Sequence, residues 1–202
     1  GNVSPASPAL TFTYDTTAPS VTVDIAATAL KAGETSSVTF TFSEAPQGFE
    51  LGDIASAQGS FSGLAATSDP LIWTATFTPT ADITNTATVT VTAGSYTDVA
   101  GNLGTAGSDT TLVDTQGPAA PTLALSTDSG VSSSDKITND GTLTVSGTET
   151  GALVEYSTNG TDWSSSFTPA QGSNTVYVRQ TDSAGNVSPA SPALTFTYDT
   201  TA

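Results

Sequence analysis

The sequence predicts an all-β chain built as two antiparallel β-sandwiches in series. Three observations predict it: short apolar/polar alternations separated by turn residues, no stretch that combines helical periodicity with helix caps, and a long internal repeat. Residues 1–18, GNVSPASPALTFTYDTTA, recur without change at 185–202. The offset is too long for a solenoid unit but suits a pair of sandwich domains. The expected organisation is therefore 1–18 as the last strand and linker of a preceding repeat, 19–116 as domain one and 117–202 as domain two. The chain has no starting Met and reads as a piece of a longer array.

The strands follow in order. In domain one they are expected near 20–25 (SVTVDI), 36–42 (SSVTFTF), 49–51, 58–64 (QGSFSGL), 71–78 (LIWTATFT), 87–93 (ATVTVTA) and 108–113. In domain two they fall near 121–125, 142–146 (TLTVS), 152–157 (ALVEYS), 174–181 (NTVYVRQT) and 193–198 (ALTFTY), with a hairpin at Asn159-Gly160. Asn-Gly between strand runs signals a hairpin because both central positions of a type I′ turn need φ > 0. The inward set is Val21, Val23, Ile25, Val38, Phe40, Phe42, Trp73, Ala75, Phe77, Val89 and Val91 in domain one. In domain two it is Leu143, Val145, Val154, Tyr156, Trp163, Val176, Val178, Leu194 and Phe196. Thr alternates with these on the outward faces, where a β-branched polar residue suits a solvated sheet.

Composition narrows the chemistry. There are 3 Lys+Arg against 19 Asp+Glu, a formal net charge of −16. Such a surface repels phosphate backbones and anionic lipid, so neither nucleic acid nor a membrane surface is an expected partner. No run is long and apolar enough to insert in a bilayer. Cys, Met and His are absent, which removes disulfides, His- or Cys-based zinc sites and every Ser-His or Cys-His nucleophile. No enzyme is expected: only paired carboxylates remain for catalysis, and nothing sets such a pair apart from the acidic sets described next.

Two echoes lie within the period. Tyr96-Thr97-Asp98-Val99-Ala100-Gly101-Asn102 matches Gln180-Thr181-Asp182-Ser183-Ala184-Gly185-Asn186 in its T-D-x-A-G-N core, and an Asp-Thr linker followed by proline precedes each domain, at Asp15 and Asp114. In a seven-strand antiparallel sandwich the incoming linker meets the turns after the second and sixth strands. Domain one would thereby gather Asp15, Glu44, Asp98 and Asn102. Domain two would gather Asp114, Glu149, Asp182 and Asn186. Carboxylates converging in a chain so poor in Lys and Arg repel unless a cation bridges them, and calcium, a hard ion taking 6–8 oxygens, suits the set. The competing reading is a tight turn in which Asp and Asn cap local N–H groups. A second acidic group, Asp128, Asp135, Asn139 and Asp140, lies in the loop after the first strand of domain two. Its spacing is not that of an EF-hand, and it reads equally as a calcium cluster or a solvated loop.

The T-D-x-A-G-N turn, the closing D-T-T-A-P linker and the segment Y-S-T-N-G-T-D-W…V-Y-V-R-Q-T-D-S-A-G-N-V-S resemble bacterial immunoglobulin-like repeats. Such repeats belong to giant surface adhesins and biofilm-associated proteins exported by type I (RTX-type) secretion. The resemblance implies two tandem immunoglobulin-like antiparallel β-sandwiches arranged end to end, extracellular at the bacterial cell surface. It implies a structural extender whose partners are neighbouring repeats, which projects a distal ligand-binding region and is stiffened by calcium at domain junctions. The second linker departs from the pattern, reading Asp-Thr-Gln-Gly-Pro, although Asp114 is retained. A direct glycan- or surface-binding adhesive module, using Trp163 and neighbouring Ser/Thr loops, is the alternative. Residues 1–17 are expected either as a loose tail or as a strand exchanged with another molecule.

Overall fold

The computed structural model describes residues 1–201. Fourteen strands and one short 3-10 turn, Leu51–Asp53, make up the regular structure of these residues. By contact density the chain divides into two compact units. The first holds Gly1–Thr28, Thr35–Thr78 and Thr86–Thr111; the second holds Ala29–Glu34, Pro79–Asn85 and the chain from Leu112 onward.

Domain one has eight strands: β1 (Val21–Ile25), β2 (Ala29–Lys31), β3 (Ser36–Phe42), β4 (Ile54–Ala55), β5 (Gly59–Ala66), β6 (Ile72–Pro79), β7 (Thr84–Val91) and β8 (Gly107–Asp114). One sheet runs β1-β3-β6-β5 and the other β2-β8-β7-β4. The expected alternation is visible in β1 and β3, where every second residue is buried. Val38, Phe40, Phe77, Val89 and Val91 are sealed from solvent. Phe49 packs edge-on against the first sheet, with ring centroids 4.9 Å from Phe42 and 5.6 Å from Trp73, a preferred aromatic geometry. It sits where a short strand over 49–51 was expected. The chain instead makes the 3-10 turn and the two-residue β4, because Asp53 caps the N–H of Glu50 at 2.8 Å.

Domain two is thinner. Its strands are β9 (Thr122–Leu125), β10 (Ile137–Thr138), β11 (Leu143–Ser146), β12 (Leu153–Ser157), β13 (Gly172–Thr181) and β14 (Leu194–Tyr198). They form a two-stranded sheet β11-β9 and a four-stranded sheet β10-β14-β13-β12. The core is Val176, Leu194 and Phe196, flanked by partly buried Leu123, Leu125, Leu143, Tyr156, Phe167 and Tyr198. The Asn159-Gly160 turn closes onto an isolated antiparallel bridge, Tyr156 to Ser164, with Gly160 at φ 78°.

Two expectations are corrected. The sandwiches are not wholly antiparallel: β2 pairs β8 and β10 pairs β14 in parallel. In each domain the chain leaves the first strand and crosses to the opposite sheet before reversing, so a short second segment runs alongside the last strand. Those segments are two or three residues long, too short to show a period. Trp163 is not a core residue either. It lies half-exposed with the Arg179 guanidinium 4.3 Å over its ring, and Arg179 is itself paired with Glu155 at 2.8 Å. The cation stacks on the indole and holds it at the surface.

Candidate functional site

The T-D-x-A-G-N turn folds in the same way in both domains. Asp98 is buried and takes the Asn102 backbone N–H on Oδ1 at 2.9 Å and the Asn102 side-chain amide on Oδ2 at 2.8 Å. Asp182 repeats both bonds with Asn186, at 2.8 and 2.9 Å. Gly101 and Gly185 supply the positive φ that closes the turn, 91° and 92°. Each asparagine then reaches back to its linker: Asn102 Nδ2 donates to the Asp15 carbonyl at 3.1 Å, and Asn186 Nδ2 to the Asp114 carbonyl at 2.9 Å. The motif therefore fastens a turn to the linker that enters its own domain.

A second tie sits two residues upstream. Tyr96 is fully buried and its hydroxyl donates to Pro19 O at 3.2 Å and Thr105 O at 3.0 Å. Gln180 occupies the matching place, fully buried, with Nε2 donating to Ala119 O and Gly147 O and Oε1 accepting from Glu149 N. Both side chains thus grip the chain at the linker proline, Tyr96 at Pro19 itself and Gln180 at Ala119, next after Pro118. Sequence reasoning aligned these two positions but gave them no role, since tyrosine and glutamine share no chemistry until their partners are seen. Burial pushes the Tyr96 phenol up, against its bonds to Thr105, so it acts as a neutral donor.

The two acidic sets differ. Asp15, Glu44 and Asp98 bring carboxylate oxygens within 4.8 Å of one another. Two oxygens on one calcium ion lie at most about 5 Å apart, given bond lengths of roughly 2.5 Å, so this spacing fits a shared ion. Asn102 stands beside them, and no ion pair neutralises the three among the described residues. Asp114, Glu149 and Asp182 form no such group among the described residues. Asp114 Oδ1 takes the Thr84 hydroxyl at 2.9 Å, and Glu149 is exposed. Asn186 spends its remaining acceptor, Oδ1, on the Ala32 N–H, and the Lys31 ammonium lies over Gly185 of the same turn.

The loop group after β9 is also dispersed. Asp128 Oδ2 accepts from Lys136 N, Asp135 Oδ1 from Ile137 N and Asp140 Oδ1 from Thr142 N, while Asn139 Oδ1 accepts from Ser129 Oγ. The three aspartates cap backbone N–H groups and Asn139 takes a serine hydroxyl, and these four residues do not form a close carboxylate group among the described residues.

Burial would raise the Asp98 and Asp182 carboxyls, but hydrogen bonds from the asparagine side chains and turn N–H groups outweigh it and hold both below the usual carboxylate range. A carboxyl whose pKa is lower in the folded state stabilises fully above its unfolded pKa, about 3.9, and loses that contribution as pH falls through the folded value. With EDTA present, the thermal midpoint is expected to fall below about pH 4. The Asp98→Asn, Asp182→Asn double variant is expected to show a shallower fall; an unchanged profile would mean these turns do not carry it.

No curated protein matches the chain. Among solved structures, the N-terminal part of the bacterial S-layer protein SbsC is 18% identical, over 91% of this chain and 44% of that one, with a TM-score of 0.33. The Yersinia pseudotuberculosis adhesin InvE is 15% identical over 90% and 58%, TM-score 0.33. The fibronectin(III)-like modules of Clostridium thermocellum CbhA are 13% identical over 88% and 94%, TM-score 0.36. The chain thus spans about half the length of the S-layer and adhesin chains. Family models, each described as a bacterial Ig-like domain, match residues 15–115 and 116–200. With both halves matched, the chain belongs to the bacterial Ig-like domain family, as two such domains in tandem.

Proposed function

We propose that this chain is a non-enzymatic spacer in a repetitive extracellular surface protein, with calcium held at Asp15, Glu44 and Asp98 stiffening the approach to domain one. Such a spacer would carry a ligand-binding region away from the cell. The observation that carries the calcium part is that the three carboxylates bring oxygens within 4.8 Å of one another, beside a linker already fastened by Asn102. The three carboxylates would hold the ion, with the Asn102 side chain close by. The ion supplies charge neutralisation and a cross-link between the linker and two turns, and no reaction. At the second linker, Asn186 and Gln180 supply the hydrogen bonds among the described residues. The family membership and the twofold turn-to-linker tie support the spacer reading. A direct glycan module is less well supported, because Arg179 covers one face of Trp163.

The test is the thermal midpoint of domain one in about 5 mM CaCl2 against excess EDTA. With a dissociation constant in the range of extracellular calcium modules, the expected rise is roughly 5–15 °C. Glu44→Gln should abolish most of that rise and leave the EDTA midpoint unchanged or slightly higher, since it removes a like charge. A midpoint blind to calcium would reduce the acidic set to turn caps.

A further inference from the structure

The two domains complete one of their sheets differently. Each lays its first strand beside a second, β1 on β3 and β9 on β11. In domain one β6 fills the far edge of β3, with Val38 opposite Ala75 and Phe40 opposite Trp73. In domain two β11 and β9 stand as a sheet of two. The ladder shows which main-chain groups face the open edge. Ser126 N donates to Thr142 O at 2.9 Å, so Thr144 and Ser146, in the same phase, turn their N–H and C=O groups to β9. Those of Leu143 and Val145 turn the other way. In the matching phase of β3, Phe42 N donates to Leu71 O, just before β6, at 2.9 Å. Gly147 O, next in the phase on β11, accepts from Gln180 Nε2. Among the described residues, no strand lies beside Leu143 and Val145 on that side. Residues 165–170 pass nearby without forming a strand, and Pro169, which has no N–H to offer, packs against Gly141. A cavity of about 550 Å³ remains, with Leu143, Tyr156, Ser165 and Phe167 in its lining. Leu143 and Val145 are half-buried, whereas Val38 and Phe40 are sealed.

We propose that the open edge of β11 binds an extended peptide strand of another protein, with basic residues on both sides of an alternating apolar stretch, completing the sheet as β6 does in domain one. Domain one covers this edge with a strand of its own, so a neighbouring repeat is not what the edge lacks. Main-chain bonds to Leu143 and Val145 would hold the strand, and its inward side chains would enter the cavity beside Tyr156 and Phe167. Charge selects the partner. Residues 141–148 carry no charged side chain, and Asp140 and Glu149 stand at their two ends. Residues 117–202 hold eight acidic side chains against Lys136 and Arg179. An acidic strand is repelled by such a surface, as is a second copy of this chain at a net charge of −16, while flanking Lys or Arg is drawn in. The edge itself has no Lys or Pro of the kind that blunts open strands.

The probe is a synthetic peptide carrying the β6 core, Ile72 to Phe77, between two lysines on each side, since that core already fits the matching edge of β3. It is titrated into the full chain while amide hydrogen exchange is followed by NMR. Exchange at Leu143 and Val145 is expected to slow roughly tenfold when the peptide reaches about ten times its dissociation constant. Two further peptides are N-methylated at alternate residues, one in each phase. Only one phase faces β11, so one of the pair is expected to bind at least about tenfold more weakly than the other. Exchanging the four lysines for glutamates should also weaken binding. Unchanged exchange at Leu143 and Val145 with peptide at about 1 mM, or equal binding of the two N-methylated forms, overturns the proposal. Slowing of the same two amides on concentrating the chain without peptide also overturns it, and gives the edge to a second copy.

Discussion

Gln180→Ala is expected to lower the stability of domain two by about 3–4 kcal/mol. The side chain is sealed from solvent and satisfies three backbone groups at once: the carbonyls of Ala119 and Gly147 and the N–H of Glu149. Each stranded buried group costs about 1–3 kcal/mol, with Glu149, at the surface, regaining water most easily. Domain two has a small core of Val176, Leu194 and Phe196, so this loss is a large share of a typical domain's stability of about 5–15 kcal/mol. Urea unfolding followed by Trp163 fluorescence, in a Trp73→Phe background, would measure it. A change under about 1 kcal/mol would mean that water replaces the amide, and that Gln180 is not what fastens the second linker.

Gly104→Ala is expected to cost domain one at least about 3 kcal/mol, by overpacking against the same tie. A Cβ at this position would overlap the Tyr96 ring. The ring has no room to move, since it is 1% exposed, stacked edge-on against Phe42 at 5.0 Å and anchored by its hydroxyl to Pro19 and Thr105. Overpacking a tight site costs about 1–3 kcal/mol, and displacing the hydroxyl adds buried carbonyls left unpaired. Domain two shows how the clash is avoided. Its matching bridge carries Ser188, whose N–H bonds Gln180 O as Gly104 N–H bonds Tyr96 O. The smaller partner there admits a Cβ. A double-mutant cycle of Gly104→Ser with Tyr96→Gln should accordingly show favourable coupling, the pair costing less than the sum of its members. Additive losses would show that the two positions do not share one steric constraint.

β3, β6 and β7 were legible because Thr alternates with Val, Phe or Ala over seven or eight residues, a pattern with a single burial solution. The short elements were not. β2, β4 and β10 are two or three residues long, and a two-residue strand has no period to read. The acidic sets show the same boundary. Topology alone placed a linker Asp, a turn Glu and a turn Asp at one end of each sandwich, and the repeated T-D-x-A-G-N spelled out both turns. It could not say that the two sets would diverge.

The all-β class, the repeat, the poverty in Lys and Arg and the turns that carry Asp98 and Asp182 were all readable in the order of residues. These rest on local patterns: side-chain alternation, glycine at positive φ, and hydrogen bonds spanning four residues. Which carboxylates meet was set by the packed fold. Asp15, Glu44 and Asp98 converge, whereas Asp114 turns to Thr84 and Glu149 is exposed. It also decided that Tyr96 and Gln180 do one job and that Trp163 stays at the surface under Arg179. The reason is common to all of these. Each depends on partners tens of residues away, and a side chain's burial or charge pairing is a property of those partners rather than of its own neighbours in sequence.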